Sequence, residues 1–115
     1  MLKTRIAVLV SGGGTNLQAL LDAQRAGKLP SGEIVLVVSS NPQAYALQRA
    51  AAAGVPAVTV SKKQCGSQEA FEAVLGRVLA ENGAELIVLA GFMNILSVSF
   101  TQKWPRRILN VHPSL

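Results

Sequence analysis

Short apolar runs alternate with stretches of helical spacing along this chain, and glycine or proline marks most of the junctions. Arg5 to Val10 (RIAVLV) is a compact apolar run that ends at glycines, the pattern of a strand buried on both faces. Leu17, Leu20 and Leu21 then share one helical face, with Gly27 as a C-terminal stop. Glu33 to Ser39 (EIVLVVS) predicts the second strand. Asn41-Pro42 reads as the N-cap and first position of an alanine-rich helix closed by Gly54. Val55 to Val60 is a weaker third strand, and Pro56 argues for an edge position. Ser67 can cap the next helix, whose apolar positions Ala70, Phe71, Val74, Leu75, Val78 and Leu79 recur at helical spacing before Gly83. Leu86 to Leu89 predicts the fourth strand and Ile108 to Val111 the fifth, with a short helix around Ser99 to Lys103 between them.

Strand–helix alternation with apolar strands specifies an α/β fold with a parallel sheet, made of right-handed βαβ units. The expected architecture is a Rossmann-like doubly wound sheet. Composition agrees: half of the 115 residues are hydrophobic but only 4% are aromatic, so the core must be aliphatic. Charged residues make up 15%, below the roughly 25% of an ordinary domain, which suits a sheet covered on both faces. No apolar run approaches the roughly 20 residues of a membrane span, the start of the chain leads straight into a strand, and the lone Cys65 excludes an internal disulfide. These features predict a cytoplasmic protein with no membrane association. The formal charge is +5, but the basic residues are dispersed and no acidic residue follows Glu85. A solvated surface therefore explains the charge better than nucleic-acid binding does.

Ser11-Gly12-Gly13-Gly14-Thr15-Asn16 follows the first strand and opens the first helix. Glycines there allow close backbone approach, and the free N–H groups of the helix start favour an anion. Thr15 and Asn16 can add side-chain hydrogen bonds, or either can be simply the N-cap. A dinucleotide site is excluded on detail, because Leu17 stands where G-x-G-x-x-G needs glycine and the second strand ends without an acid. A P-loop fails as well, lacking Gly-Lys-Ser/Thr. A single phosphate monoester fits the loop, as does a tight turn without ligand.

Asn110-Val111-His112-Pro113-Ser114-Leu115 ends the sequence with its only histidine just beyond the fifth strand. In open α/β sheets ligands bind outside the carboxyl ends of the strands. His112 can serve as general acid or base, and the Asn110 amide can donate to an oxygen gaining negative charge. Two residues apart on an extended strand, they point to the same side; a histidine satisfied in the core or at the surface is the alternative. A chain that stops inside such a motif is expected to be an N-terminal portion of something longer. The apolar segment Met93-Asn94-Ile95-Leu96 after the fourth strand either packs in the core or lines a pocket for a flat heteroaromatic ring, with backbone groups reading the ring edge. Cys65, despite Lys62 and Lys63 nearby, reads as a passive loop residue rather than a nucleophile.

Taken together, Ser11-Gly12-Gly13-Gly14-Thr15-Asn16-Leu17-Gln18-Ala19-Leu20, Leu89-Ala90-Gly91-Phe92-Met93, Ile95-Leu96-Ser97 and Leu109 to Leu115 resemble the folate-dependent glycinamide ribonucleotide formyltransferases. The resemblance implies that residues 1–115 are the N-terminal part of a single formyltransferase domain, with the C-terminal part missing. It implies formyl transfer from 10-formyltetrahydrofolate, as co-substrate, to the amine of glycinamide ribonucleotide in purine (IMP) biosynthesis. Gly14, Thr15 and Asn16 match the family's substrate-phosphate loop. Met93, Asn94, Ile95 and Leu96 match its pterin segment, and Gln68 and Asn110 fall among its cofactor contacts. Asn110 and His112 match two of three catalytic residues; the third, an aspartate, lies downstream. Amine attack on the formyl carbon creates an oxyanion that Asn110 and a protonated His112 can stabilise, and the chemistry needs no metal. A homodimer is compatible with the resemblance. Many relatives carry arginine where Asn94 stands, and some do at Gln68, so folate affinity is the property these two changes bear on. The 115 residues alone are expected to be weak or inactive. Formyltetrahydrofolate hydrolase would carry a domain ahead of the Ser11 loop, and transfer-RNA formyltransferase lacks the Thr15-Asn16 style of loop. Outside catalysis, the competing reading is a phosphate-binding module.

Overall fold

A computed structural model describes residues 3–111. Five parallel strands, β1 (Thr4–Val10), β2 (Gly32–Ser39), β3 (Ala57–Thr59), β4 (Leu86–Ala90) and β5 (Ile108–Val111), form one sheet in the order β3-β2-β1-β4-β5. The helices are α1 (Thr15–Arg25), α2 (Ala46–Ala52), α3 (Lys62–Cys65), α4 (Gln68–Glu81) and α5 (Val98–Thr101). The expected Rossmann-like α/β architecture is thus present.

Period-two alternation along each strand divides the core in two. On one face Val8, Val10, Val88 and Ala90 pack with Leu17 and Leu21 of α1 and Ala46 and Ala50 of α2. On the other, Ala7, Leu9 and Ile87 pack with Phe71, Leu75 and Leu79 of α4 and Phe100 of α5. The order reverses between β1 and β4, and ligands bind at such a reversal, outside the strands' carboxyl ends. The glycine loop after β1 and the Met93 segment after β4 leave the sheet there, side by side.

Several local expectations are corrected. Asn41-Pro42 does not start a helix: the Asn41 carboxamide accepts the Gln43 N–H at 2.9 Å, and α2 begins at Ala46. Asparagine can cap a turn two residues on as readily as a helix, and here the turn wins. The third strand is only Ala57–Thr59, at the sheet edge as Pro56 indicated; the Pro56 carbonyl still accepts the Val37 N–H at 2.9 Å. Cys65 is not in a loop, since it ends the single-turn α3, which Ser61 caps. Its thiol is free and half-buried. The helix expected around Ser99 to Lys103 lies slightly earlier, at Val98–Thr101, because Ser97 caps it. Ser67 caps α4 as its position suggested.

Candidate functional site

The glycine loop owes its shape to Gly14, the N-cap of α1, which sits in the left-handed region at φ 80°. No side chain caps this helix, so neither Thr15 nor Asn16 is its N-cap: Thr15 is the first helical residue and Asn16 the second. The amides of Gly13, Gly14, Thr15 and Asn16 donate to no described residue, and neither do the side chains of Thr15 and Asn16. They surround a cleft of about 220 Å³ closed on its far side by Ala90 and Gly91. Unspent amides at the positive end of a helix suit an anion.

Helix α2 supports the loop from behind. The Ala46 N–H donates to the Gly12 carbonyl at 3.1 Å, and Arg49 Nε donates to the Gly13 carbonyl at 2.7 Å. Arg49 also reaches Gln18 Oε1 at 3.2 Å and lies over the Tyr45 ring, 5.0 Å from its centroid. Its guanidinium therefore adds positive charge beside the loop. Sequence reasoning did not single it out, since 36 residues separate Arg49 from Gly13.

Met93 and Ile95 are 81% and 84% exposed, so these two residues of the segment are not core. Phe92 and Leu96 are the inward-facing members, packed against the α4 side of the core, with the Phe92 ring stacked on Phe71 at 6.5 Å. Not all the backbone groups expected to read a ring edge are free. The Met93 N–H donates to Ser11 Oγ at 2.9 Å, and the Ile95 carbonyl accepts the Gln68 amide at 2.9 Å. Hydrogen bonding along the segment thus holds its backbone while its apolar side chains stay available to a ligand. Met93, Asn94 and Ile95 border a cleft of about 470 Å³ together with Gln68, Lys62 and Lys63.

Glu72 of α4 anchors the far end of the segment. Its carboxylate accepts the Ser97 N–H at 2.6 Å, the Ser97 hydroxyl at 2.6 Å and the Gln68 amide at 2.8 Å. Desolvation pushes the carboxyl up, but the Ser97 and Gln68 hydrogen bonds and the charge of Lys103 outweigh it and hold the group below its ordinary range. Glu72 was absent from the sequence-derived candidates, and Ser11 and Ser97 stood there only as ends of quoted motifs, without a role. A local clue for Glu72 is its four-residue spacing from Gln68 on a helix.

Asn110 lies on β5 in register with Leu89 of β4 and is exposed near the strand's carboxyl end. Alternation places it on the strand face of Ile108, which packs on the α4 side. His112, and with it the expected Asn110–His112 pairing, lies outside the described residues. The glycine loop and the Met93 segment follow β1 and β4, and Asn110 lies next to last in β5, so all three sit at the carboxyl ends of adjacent strands.

A family model for formyl transferases matches residues 4–115. The chain is 49% identical over 115 residues to the trifunctional purine biosynthetic protein adenosine-3 of Gallus gallus, covering 98% of this chain and 11% of that protein. It is 42% identical over 111 residues to the phosphoribosylglycinamide formyltransferase of Haemophilus influenzae, covering 96% of this chain and 52% of that one. The crystal structure of glycinamide ribonucleotide transformylase 1 from Symbiobacterium toebii matches with a TM-score of 0.90 at 43% identity, over 98% of this chain and 53% of that one. The chain spans about half the length of these bacterial relatives and a much smaller part of the trifunctional protein. The matched residues take in the glycine loop, the Met93 segment and Asn110, and the chain belongs to the formyl transferase family.

Proposed function

We propose that these residues carry the phosphate-binding and formyl-donor side of a site that transfers a formyl group from 10-formyltetrahydrofolate to the amine of glycinamide ribonucleotide, in the cytoplasm, for purine biosynthesis. The observation that carries this reading is the placement of an anion cradle, an exposed apolar segment and a carboxamide on three adjacent strand ends. Gly14, Thr15 and Asn16 would hold the ribonucleotide phosphate through their amides and through the Thr15 and Asn16 side chains. The exposed Met93 and Ile95 side chains suit a flat heteroaromatic ring, and methionine adapts readily to such a surface. Lys62 and Lys63 border the same cleft and offer positive charge to the folate carboxylates where Asn94 and Gln68 carry none. When bound, 10-formyltetrahydrofolate supplies the activated formyl carbon. Asn110 would donate its amide N–H to the formyl oxygen as negative charge develops there, a role that commonly contributes a factor of about 10²–10³ in rate. His112, protonated, would help to stabilise that oxyanion and pass its proton to the departing folate nitrogen, the proton lost by the attacking amine then restoring the imidazolium.

Titration calorimetry of the chain with glycinamide ribonucleotide tests the reading. Saturable binding is expected, weakened about 10- to 100-fold in Asn16→Ala, the loss for one hydrogen bond to a charged phosphate. No binding, or equal affinity in the variant, would refute the assignment of the loop.

A further inference from the structure

The hydroxyl of Ser11 joins the two halves of the proposed site. Ser11 is the residue between β1 and the glycine loop, and only 9% of it is exposed. Its Oγ accepts the Met93 N–H at 2.9 Å across 82 residues of sequence, and it shares a second hydrogen bond with Ser40 Oγ at the end of β2. Ser40 in turn donates its N–H to the Val10 carbonyl at 3.0 Å. One buried hydroxyl thus ties together the carboxyl ends of β1, β2 and β4.

Its position next to Gly12 gives this tie a consequence. A Cβ added at Gly12 or Gly13 would meet nothing within 4 Å, so no side chain packs on that side of the loop, and its backbone is held from behind by the hydrogen bonds of Ala46 and Arg49 to the Gly12 and Gly13 carbonyls. With Met93 and Ile95 exposed, the segment is fixed by the packing of Phe92 and Leu96 to either side and, between them, by two hydrogen bonds, to Ser11 and to Gln68. Of these two, the bond to Ser11 leads into the glycine loop, whereas Gln68 leads into α4. An anion that fixes the loop amides restricts the backbone at Ser11, and through its hydroxyl restricts Met93. Binding free energies are linked, so ordering must run equally in the other direction.

We propose that Ser11 is a positioning residue that couples the two ligand sites, its hydroxyl holding the Met93 segment in register with the glycine loop so that occupancy of either site favours the other. The identity of the two ligands rests on the function proposed above; the coupling itself does not.

NMR of the Met93 amide tests the coupling while the chain is titrated with inorganic phosphate and, separately, with glycinamide ribonucleotide. As phosphate saturates the loop, the Met93 resonance is expected to shift and its hydrogen exchange to slow about tenfold, within the usual range of coupling between sites. In Ser11→Ala phosphate should still bind, but the Met93 response should vanish. Ser11→Thr, which keeps the hydroxyl, should restore it, and Ser40→Ala, which leaves the Ser11–Met93 bond in place, should retain most of it. A merely structural serine would change stability and leave the response of Met93 to phosphate intact. The proposal is overturned if phosphate does not bind, if saturating phosphate leaves Met93 unmoved in the unmutated chain, or if the response survives in Ser11→Ala. Should Ser11→Ala fail to fold, Ser11→Cys, whose sulfur is only a weak acceptor, takes its place, and an undiminished Met93 response in it overturns the proposal. If phosphate evokes the response and glycinamide ribonucleotide does not bind, the coupling stands and the proposed function falls.

Discussion

Replacing Gly14 by alanine sets a steric demand that can be compared with a neighbour. Gly14 holds φ 80°, and a Cβ built there would lie 2.6 Å from Ala46 Cβ and 2.9 Å from Ala46 Cα. Real Cβ atoms do not approach that closely, so the α1 start and α2 must separate or the turn must change shape. The left-handed conformation costs an L-residue about 1–2 kcal/mol, and overpacking a tight contact costs about 1–3 kcal/mol. Gly14→Ala should therefore destabilise by about 2–5 kcal/mol, a large part of the roughly 5–15 kcal/mol available to a domain. Gly12→Ala is the control, because nothing lies within 4 Å of its added Cβ and its φ is not in the left-handed range. Both substitutions stiffen the unfolded chain alike, so their difference isolates the folded-state clash. Urea unfolding followed by Trp104 fluorescence measures it. Equal midpoints for the two variants, or a loss at Gly14 below about 1 kcal/mol, would refute the packing argument.

Two further outcomes are expected. Phe71, 1% exposed beneath the Met93 segment, should cost about 3–5 kcal/mol of urea stability as Phe71→Ala. Because its ring stacks on Phe92, the amides of 93–96 should exchange faster than the global loss explains; unchanged relative protection there would count against Phe71 as support for the segment. Glu72 should make stability acid-sensitive. Its folded carboxyl titrates below the ordinary 4.5, so its stabilising contribution is complete above that pH and is lost as pH falls through the lower folded value. Glu72→Gln should flatten the acid limb of the stability profile below about pH 4.5, and superimposable limbs would exclude the carboxylate as the anchor of Ser97.

How legible the fold was depends on how local its determinants are. Buried parallel strands such as Leu86–Ala90 read as apolar runs because both faces are covered, and α4 declared itself through a sixfold recurrence at helical spacing and a serine cap. The glycine loop could be placed because a strand ran directly into glycines and then into helical spacing. Asn41-Pro42 misled because the same carboxamide closes an Asx turn or caps a helix, and the residues beyond Pro42 decide between the two. Here the Asn41 carboxamide closes on Gln43, and the helix begins at Ala46, which is buried in the core beside α1. The α3 turn has too few residues for any periodicity to show.

The supporting shell of the site was hidden for a different reason. Ser11 meets Met93 across 82 residues, Glu72 meets Ser97 across 25 and Arg49 meets Gly13 across 36, and serine or glutamate alone carries no signature of such a partner. These contacts exist only once the strand order is set, since β1 and β4 become neighbours through the return of the chain across the sheet. The residues that would touch ligand sit in recognisable strings because they share a loop, whereas those that hold the loops are scattered, one to an element. A segment whose apolar side chains must stay open to a ligand cannot be secured by burying those side chains. Packing of the flanking Phe92 and Leu96 and hydrogen bonds to the backbone share that task, which is why the Met93 segment and the adjoining Ser97 meet a serine, a glutamine and a glutamate from elements on either side.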